Sequence, residues 1–132
     1  YRIDKYESKE ISKSEGGVAI GLPLVILTDG GTASASEVVT GALKDYNAAV
    51  TVGTTTFGKG VVQLPFELKS GIGGLKVTVS KYYTPKGEDI NKKGIIPDYE
   101  VKLTEEDVNK DYSKDTDPQL QKGIEVIKDM IK

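Results

Sequence analysis

Hydrophobic positions are sparse over residues 1–17, where Ile3, Tyr6 and Ile11 are scattered among charges and Gly16-Gly17 closes a polar hairpin or ragged strand. From Leu22 to Leu27 they become continuous, broken only by Pro23. That run predicts a central strand over 22–28, apolar on both faces as in a parallel sheet covered by helices. A turn of small residues follows, Gly30-Gly31-Thr32-Ala33-Ser34-Ala35-Ser36. Val39, Ala42, Leu43 and Tyr46 then fall at i, i+3, i+4 and i+7, which predicts an amphipathic helix from about Ser34 to Tyr46, with Asn47 suited to its end. Ala48–Val52 reads as a second short strand, and a crossover of this length favours a parallel β-α-β unit.

Downstream, the polar loop 53–60 is bounded by glycines. Residues 61–68 alternate imperfectly, and Pro65 predicts an edge or a bulge. A glycine-rich turn at 70–74 leads to Leu75, Val77 and Val79 alternating with Lys76, Thr78 and Ser80, so the pair predicts an antiparallel hairpin. Residues 100–117 read as an acidic linker with a helical turn at 104–108. Asp117-Pro118 predicts the N-cap and first residue of a last helix, with Leu120, Ile124, Ile127 and Ile131 as its apolar stripe.

A chain of 132 residues with 37% apolar content amounts to one domain at most, with a modest core. A net charge of −2 without a basic patch argues against a nucleic-acid partner. The chain has no cysteine and no histidine. Thiol chemistry, histidine-ligated zinc and a Ser-His-Asp triad are therefore excluded. A serine activated here needs a lysine or carboxylate as its base, or a group from another chain.

Ser34 is the candidate nucleophile, because a strand-to-helix turn directs the first helical N–H groups at an incoming oxyanion. The same residues, Ser34-Ala35-Ser36-Glu37, also fit a helix-starting capping box. Lys59, between Gly58 and Gly60, is the candidate base, since a desolvated lysine titrates nearer neutrality; its other reading is an exposed turn residue. The segment Gly53 to Lys59 imitates a phosphate-binding loop, but Gly60 stands where a Mg²⁺-binding hydroxyl is needed and a strand follows in place of a helix. Gln63 could orient the lysine amine or simply face solvent. Asp111, Asp115 and Asp117 lack the glycine and terminal glutamate of a calcium loop.

The run Leu22–Leu27 with Gly30–Glu37, together with Thr56–Gln63, Tyr82–Gly87, Gly94–Asp98 and Asp117-Pro118-Gln119-Leu120, resembles the C-terminal processing (tail-specific) serine peptidases over roughly residues 20–130. Asp29 and Thr32 stand where that family commonly has asparagine and serine. The resemblance implies an α/β fold, a crotonase/Clp-protease-like core with mixed sheet and flanking helices, here a partial domain. It implies catalysis by Ser34 and Lys59, 25 residues apart, assisted by Gln63, with the Ala35 N–H as an oxyanion donor. No cofactor or metal is implied. The expected substrates are unfolded or tail-exposed proteins, cut near their C-termini, in an extracytoplasmic compartment, with the strand 75–80 helping to form the substrate groove. Residues 1–132 are expected to be the C-terminal part of the catalytic core, without the upstream core segment, the PDZ domain or the N-terminal segments through which a membrane would be reached. The alternative is a catalytically silent module that binds peptides by adding them to a sheet edge; acyl-CoA chemistry has only the shared architecture behind it.

Overall fold

A computed structural model describes residues 1–69, 71–108, 113 and 115–132. The strands are β1 (Arg2–Asp4), β2 (Lys9–Glu10), β3 (Val25–Thr28), β4 (Val50–Gly53), β5 (Val61–Glu67), β6 (Gly74–Tyr82) and β7 (Tyr99–Glu100). The helices are α1 (Ala35–Asp45), α2 (Glu105–Val108) and α3 (Pro118–Met130). The mixed strand pairing is realised as two sheets: a parallel one in the order β3-β4-β7 and an antiparallel one in the order β2-β1-β6-β5.

The β3-α1-β4 unit is parallel, with Val25 opposite Val50 and Thr28 opposite Gly53. Helix α1 ends as Asn47 turns left-handed (φ 53°). The Asn47 amide donates to Lys44 O (2.9 Å) and the Ala48 amide to Leu43 O (2.8 Å), the reciprocal pair that satisfies the last carbonyls of a helix. Asp117 caps α3 through the amides of Gln119 (2.9 Å) and Leu120 (3.0 Å), and Pro118 occupies its first turn.

Three expectations change. The 22–28 run gives only a four-residue strand at the margin of the parallel sheet, in which β4 is central, paired with β3 and β7. Helix α1 is rotated relative to its apolar pattern. It buries Glu37, Thr40 and Gly41, whereas Val39 and Tyr46 are 57% and 73% exposed. The reason is close approach: a Cβ on Gly41 would sit 3.0 Å from Thr84 Cγ2 and 3.3 Å from Ile95 Cδ1. Similarly, α3 buries Gln119, Gly123 and Val126, with Gly123 against Leu27 and Val25, while Ile131 is exposed. Pro65 sits on the edge strand β5, the first of the two readings it allowed, and the ladder irregularity lies between Val62 and Gln63.

A partly buried polar joint fastens β7 to β4. Asp98 accepts from the amide and hydroxyl of Thr51 (both 2.8 Å) and pairs with Lys44 of α1. Burial alone would raise the Asp98 carboxyl, but Lys44 and the two Thr51 donors more than offset it and hold it below the ordinary carboxylate value.

Candidate active site

Glu37, the third residue of α1, is fully buried, and its carboxylate gathers the two segments that carry the candidate chemistry. Its Oε2 accepts from the amides of Ser34 (2.9 Å) and Lys59 (2.8 Å). Its Oε1 accepts from the Thr56 hydroxyl (2.5 Å) and the Gly58 amide (2.7 Å). Burial would raise this carboxyl; the donors from Thr56, Gly58, Lys59 and Ser34 outweigh it and lower the pKa, so the group is anionic at neutral pH. Thr56 is fixed in turn, its Oγ1 accepting from the Ile95 amide (2.7 Å).

The loop 53–60 is thereby bolted onto the turn 28–37. Phe57 N donates to Thr32 O (2.9 Å) and Thr54 N to Thr28 O (2.8 Å). Gly58 has φ 86°, and a Cβ there would fall 2.8 Å from Gly94 N and 2.9 Å from Lys93 N. Only glycine fits without moving backbone. Asp29 shapes the preceding turn by accepting from the amides of Gly31 and Thr32 (both 2.9 Å).

Ser34 is strained. Its φ of 58° and ψ of −115° are rare for a residue with a Cβ and cost about 1–3 kcal/mol, a cost that persists only where the surroundings over-determine the conformation. Ser34 and Glu37 stand in the capping-box arrangement, in which the Ser34 amide donates to the Glu37 carboxylate (2.9 Å). The Ala35 amide, at the first helical position, donates to no acceptor among the described residues. It lies at the positive end of the α1 dipole, where an oxyanion is favoured.

Lys59 is half-buried, and its ammonium makes no hydrogen bond or ion pair among the described residues. Gln63, on β5 just past the register shift, donates from Nε2 to Thr78 Oγ1 (3.3 Å). The backbones of Ser34 and Lys59 thus meet at one carboxylate oxygen, while Gln63 has no hydrogen bond to either residue among the described ones. Of the acidic trio, Asp117 is the α3 cap and Asp111 lies outside the described residues.

Glu37 and Thr56 were not among the residues singled out from sequence. Glu37 read as a helix cap, because a glutamate three residues after a serine has that local explanation. The signal that reveals it is the stripe Glu37, Thr40, Gly41 at i, i+3 and i+4, a polar and small face on a helix with apolar residues elsewhere.

Residues 1–101 match the profile described as peptidase family S41. The chain is 48% identical over 98 residues to a carboxyl-terminal-processing protease of Synechocystis sp., covering 74% of this chain and 23% of that protein. It is 42% identical over 127 residues to the protein of that name in Picosynechococcus sp., covering 96% and 30%. It is 46% identical over 101 residues to carboxyl-terminal-processing peptidase 2, chloroplastic, of Arabidopsis thaliana, covering 75% and 19%. The chain thus spans less than a third of the length of these relatives. Among solved structures, a photosystem II D1 C-terminal processing protease superposes with a TM-score of 0.58 at 50% identity, covering 62% of this chain and 21% of that one. A lipoprotein from Streptococcus agalactiae shares the fold, with a TM-score of 0.69 at 22% identity over 98% of this chain and 44% of that one.

Proposed function

The chain belongs to peptidase family S41, and from that premise we propose that it carries the Ser–Lys pair of a serine endopeptidase cutting proteins near their C-termini. One observation carries the proposal: Glu37 ties the strained Ser34 turn and the Lys59 loop to a single buried carboxylate. Lys59, as general base, takes the proton of Ser34 Oγ as that oxygen attacks the scissile carbonyl. The developing oxyanion accepts from the Ala35 N–H. Lys59 then returns the proton to the departing amine, leaving an acyl-serine that water cleaves with the same lysine as base. Gln63, which bonds Thr78 in this structure, would orient the lysine amine through its side-chain oxygen once its side chain turns toward Lys59. The extracytoplasmic setting and the unfolded or tail-exposed substrates follow from the resemblance, as does a second oxyanion donor from an upstream segment.

The test is cleavage of an unstructured protein with an apolar C-terminus, read by intact mass, in the longest natural polypeptide containing these residues. Ser34→Ala and Lys59→Ala are each expected to lower the rate by at least about 10³-fold while binding persists. If Ser34→Ala cuts like the wild type, Ser34 is only a helix cap. If nothing cuts although tails bind, the silent peptide-binding module is the better reading.

A further inference from the structure

The loop that carries Lys59 is gripped from two sides. On one side stands the Glu37 carboxylate, which accepts from the amides of Gly58 (2.7 Å) and Lys59 (2.8 Å). On the other lies the segment 90–95. Its Lys92 amide donates to Gly58 O (2.7 Å), and its Ile95 carbonyl accepts from the Thr56 amide (3.2 Å). The two backbones mesh where side chains are missing: a Cβ on Gly60 would fall 2.7 Å from Asn91 N, and one on Gly94 would collide with Thr56 O. Segment 90–95 is itself anchored. Ile90 and Ile95 are buried, and Asp98 just beyond is held by Thr51 and Lys44.

The Thr56 side chain joins the two sides. It is 5% exposed, and its hydroxyl lies between Glu37 Oε1 (2.5 Å) and the Ile95 amide (2.7 Å). A hydroxyl has one proton and two lone pairs. The Ile95 N–H can only donate, so it takes a lone pair of Oγ1, and the single proton points at Glu37. Neither bond can reverse its direction. The other three donors to Glu37 are backbone amides, equally fixed in sense. Without the Thr56 hydroxyl, the Ile95 amide is left unpaired in a buried place and Oε1 keeps Gly58 alone. The carboxylate that collects the Ser34 and Lys59 amides then loses its tie to the anchored segment.

We infer that Thr56 is a positioning residue for the Ser34–Lys59 pair, an inference that rests on the Ser–Lys reading above. Its hydroxyl sets the Lys59 loop against the Ser34 turn by referring both, through Glu37, to the segment 90–95. It hydrogen-bonds to neither Ser34 nor Lys59 among the described residues and takes no part in the proton transfer. A misplacement of reacting groups by about 1 Å costs about 10²-fold in rate. The effect therefore falls on kcat and leaves substrate binding alone. The hydroxyl carries the role, so serine suffices in its place and the isosteric valine does not.

The test is steady-state cleavage of an unstructured protein by the longest natural polypeptide containing these residues, each variant assayed below its own melting transition. The variants are Thr56→Val, Thr56→Ser, Thr56→Cys and Lys59→Ala. Gln119→Ala serves as a stability control, since it removes a hydrogen bond to Val101 O (2.8 Å) made from α3. Expected is a kcat about 10- to 100-fold lower in Thr56→Val with KM within about twofold, and Thr56→Ser within about threefold of wild type. Thr56→Cys should fall between them, because a thiol donates weakly. Gln119→Ala should keep the wild-type kcat. Wild-type kcat in Thr56→Val overturns the inference, as does a Thr56→Ser protein as slow as the valine variant. So does a raised KM with kcat kept, or the same loss of kcat in Gln119→Ala. Should Thr56→Val not fold, Thr56→Cys decides, and a kcat equal to that of Thr56→Ser overturns the inference. The Lys59→Ala arm keeps the two failures apart. An active Lys59→Ala protein refutes the Ser–Lys pair and this inference with it; an inactive one beside a fully active Thr56→Val refutes this inference alone.

Discussion

The region around Glu37 and the β5–β6 ribbon reverse each other's polarity. Around Glu37, the groups removed from water are a carboxylate, Thr40 and Thr56, all hydrogen-bonded, while Val38 and Val39 on the same helix face outward. On the ribbon, Leu64, Phe66, Leu75 and Val77 face outward, and the strands are joined by the backbone ladder and the Gln63–Thr78 side-chain bond. A polar cluster that is fully satisfied fixes one geometry, since every displaced donor is a lost hydrogen bond. An apolar surface fixes little and is free to bind. The first region therefore suits the positioning of reacting groups and the second suits the capture of chains.

Glu37→Ala should have the largest effect. It strands the Thr56 hydroxyl and the amides of Ser34, Gly58 and Lys59, and should cost about 3 kcal/mol or more in urea unfolding, with cleavage lost in parallel. Its pH dependence has a definite sign. The native Glu37 pKa is lowered, so its stabilisation is complete above the unfolded value near about 4.3 and is lost as pH falls through the native one. The difference in unfolding free energy between wild type and Glu37→Gln should be flat above about pH 5 and shrink in acid. A difference that grows in acid would mean that Glu37 is protonated in the native state. Gly58→Ala comes next: φ 86° and backbone nitrogens within 2.9 Å should cost about 2 kcal/mol in a thermal melt, with activity falling because Lys59 is displaced. Ser34→Gly should stabilise by about 1 kcal/mol while ending cleavage, because glycine relieves the strained φ; Ser34→Ala, which keeps the Cβ, should leave stability nearly unchanged. Phe66→Ser, on the ribbon, should shift stability by no more than about 0.5 kcal/mol. A large loss there would erase the contrast between the regions.

The elements with local causes were legible in the sequence. The β-α-β unit, the Asn47 helix end and the Asp117-Pro118 start each depend on a few adjacent residues. What escaped depends on partners distant in sequence. Tyr46 looked like core because its spacing matched Val39 and Leu43, yet the helix is oriented by Gly41 against Thr84 and Ile95. The position of the bulge depends on the register of β6 against β5, which no local signal marks. Ser34 and Lys59 were legible because serine and lysine are chemically conspicuous in a chain without histidine. Glu37 was not, because its capping role explained it locally while its main partners lie 19 to 22 residues away.

The central claim is that Ser34 is activated by Lys59. Its most direct test is labelling with a fluorophosphonate, with the modified residue located by peptide mass spectrometry in the wild type, Lys59→Ala and Glu37→Gln proteins. The account predicts one adduct on Ser34 in the wild type, its loss in Lys59→Ala, and slowed formation in Glu37→Gln. An adduct on another residue, or undiminished labelling of Ser34 in Lys59→Ala, would contradict it.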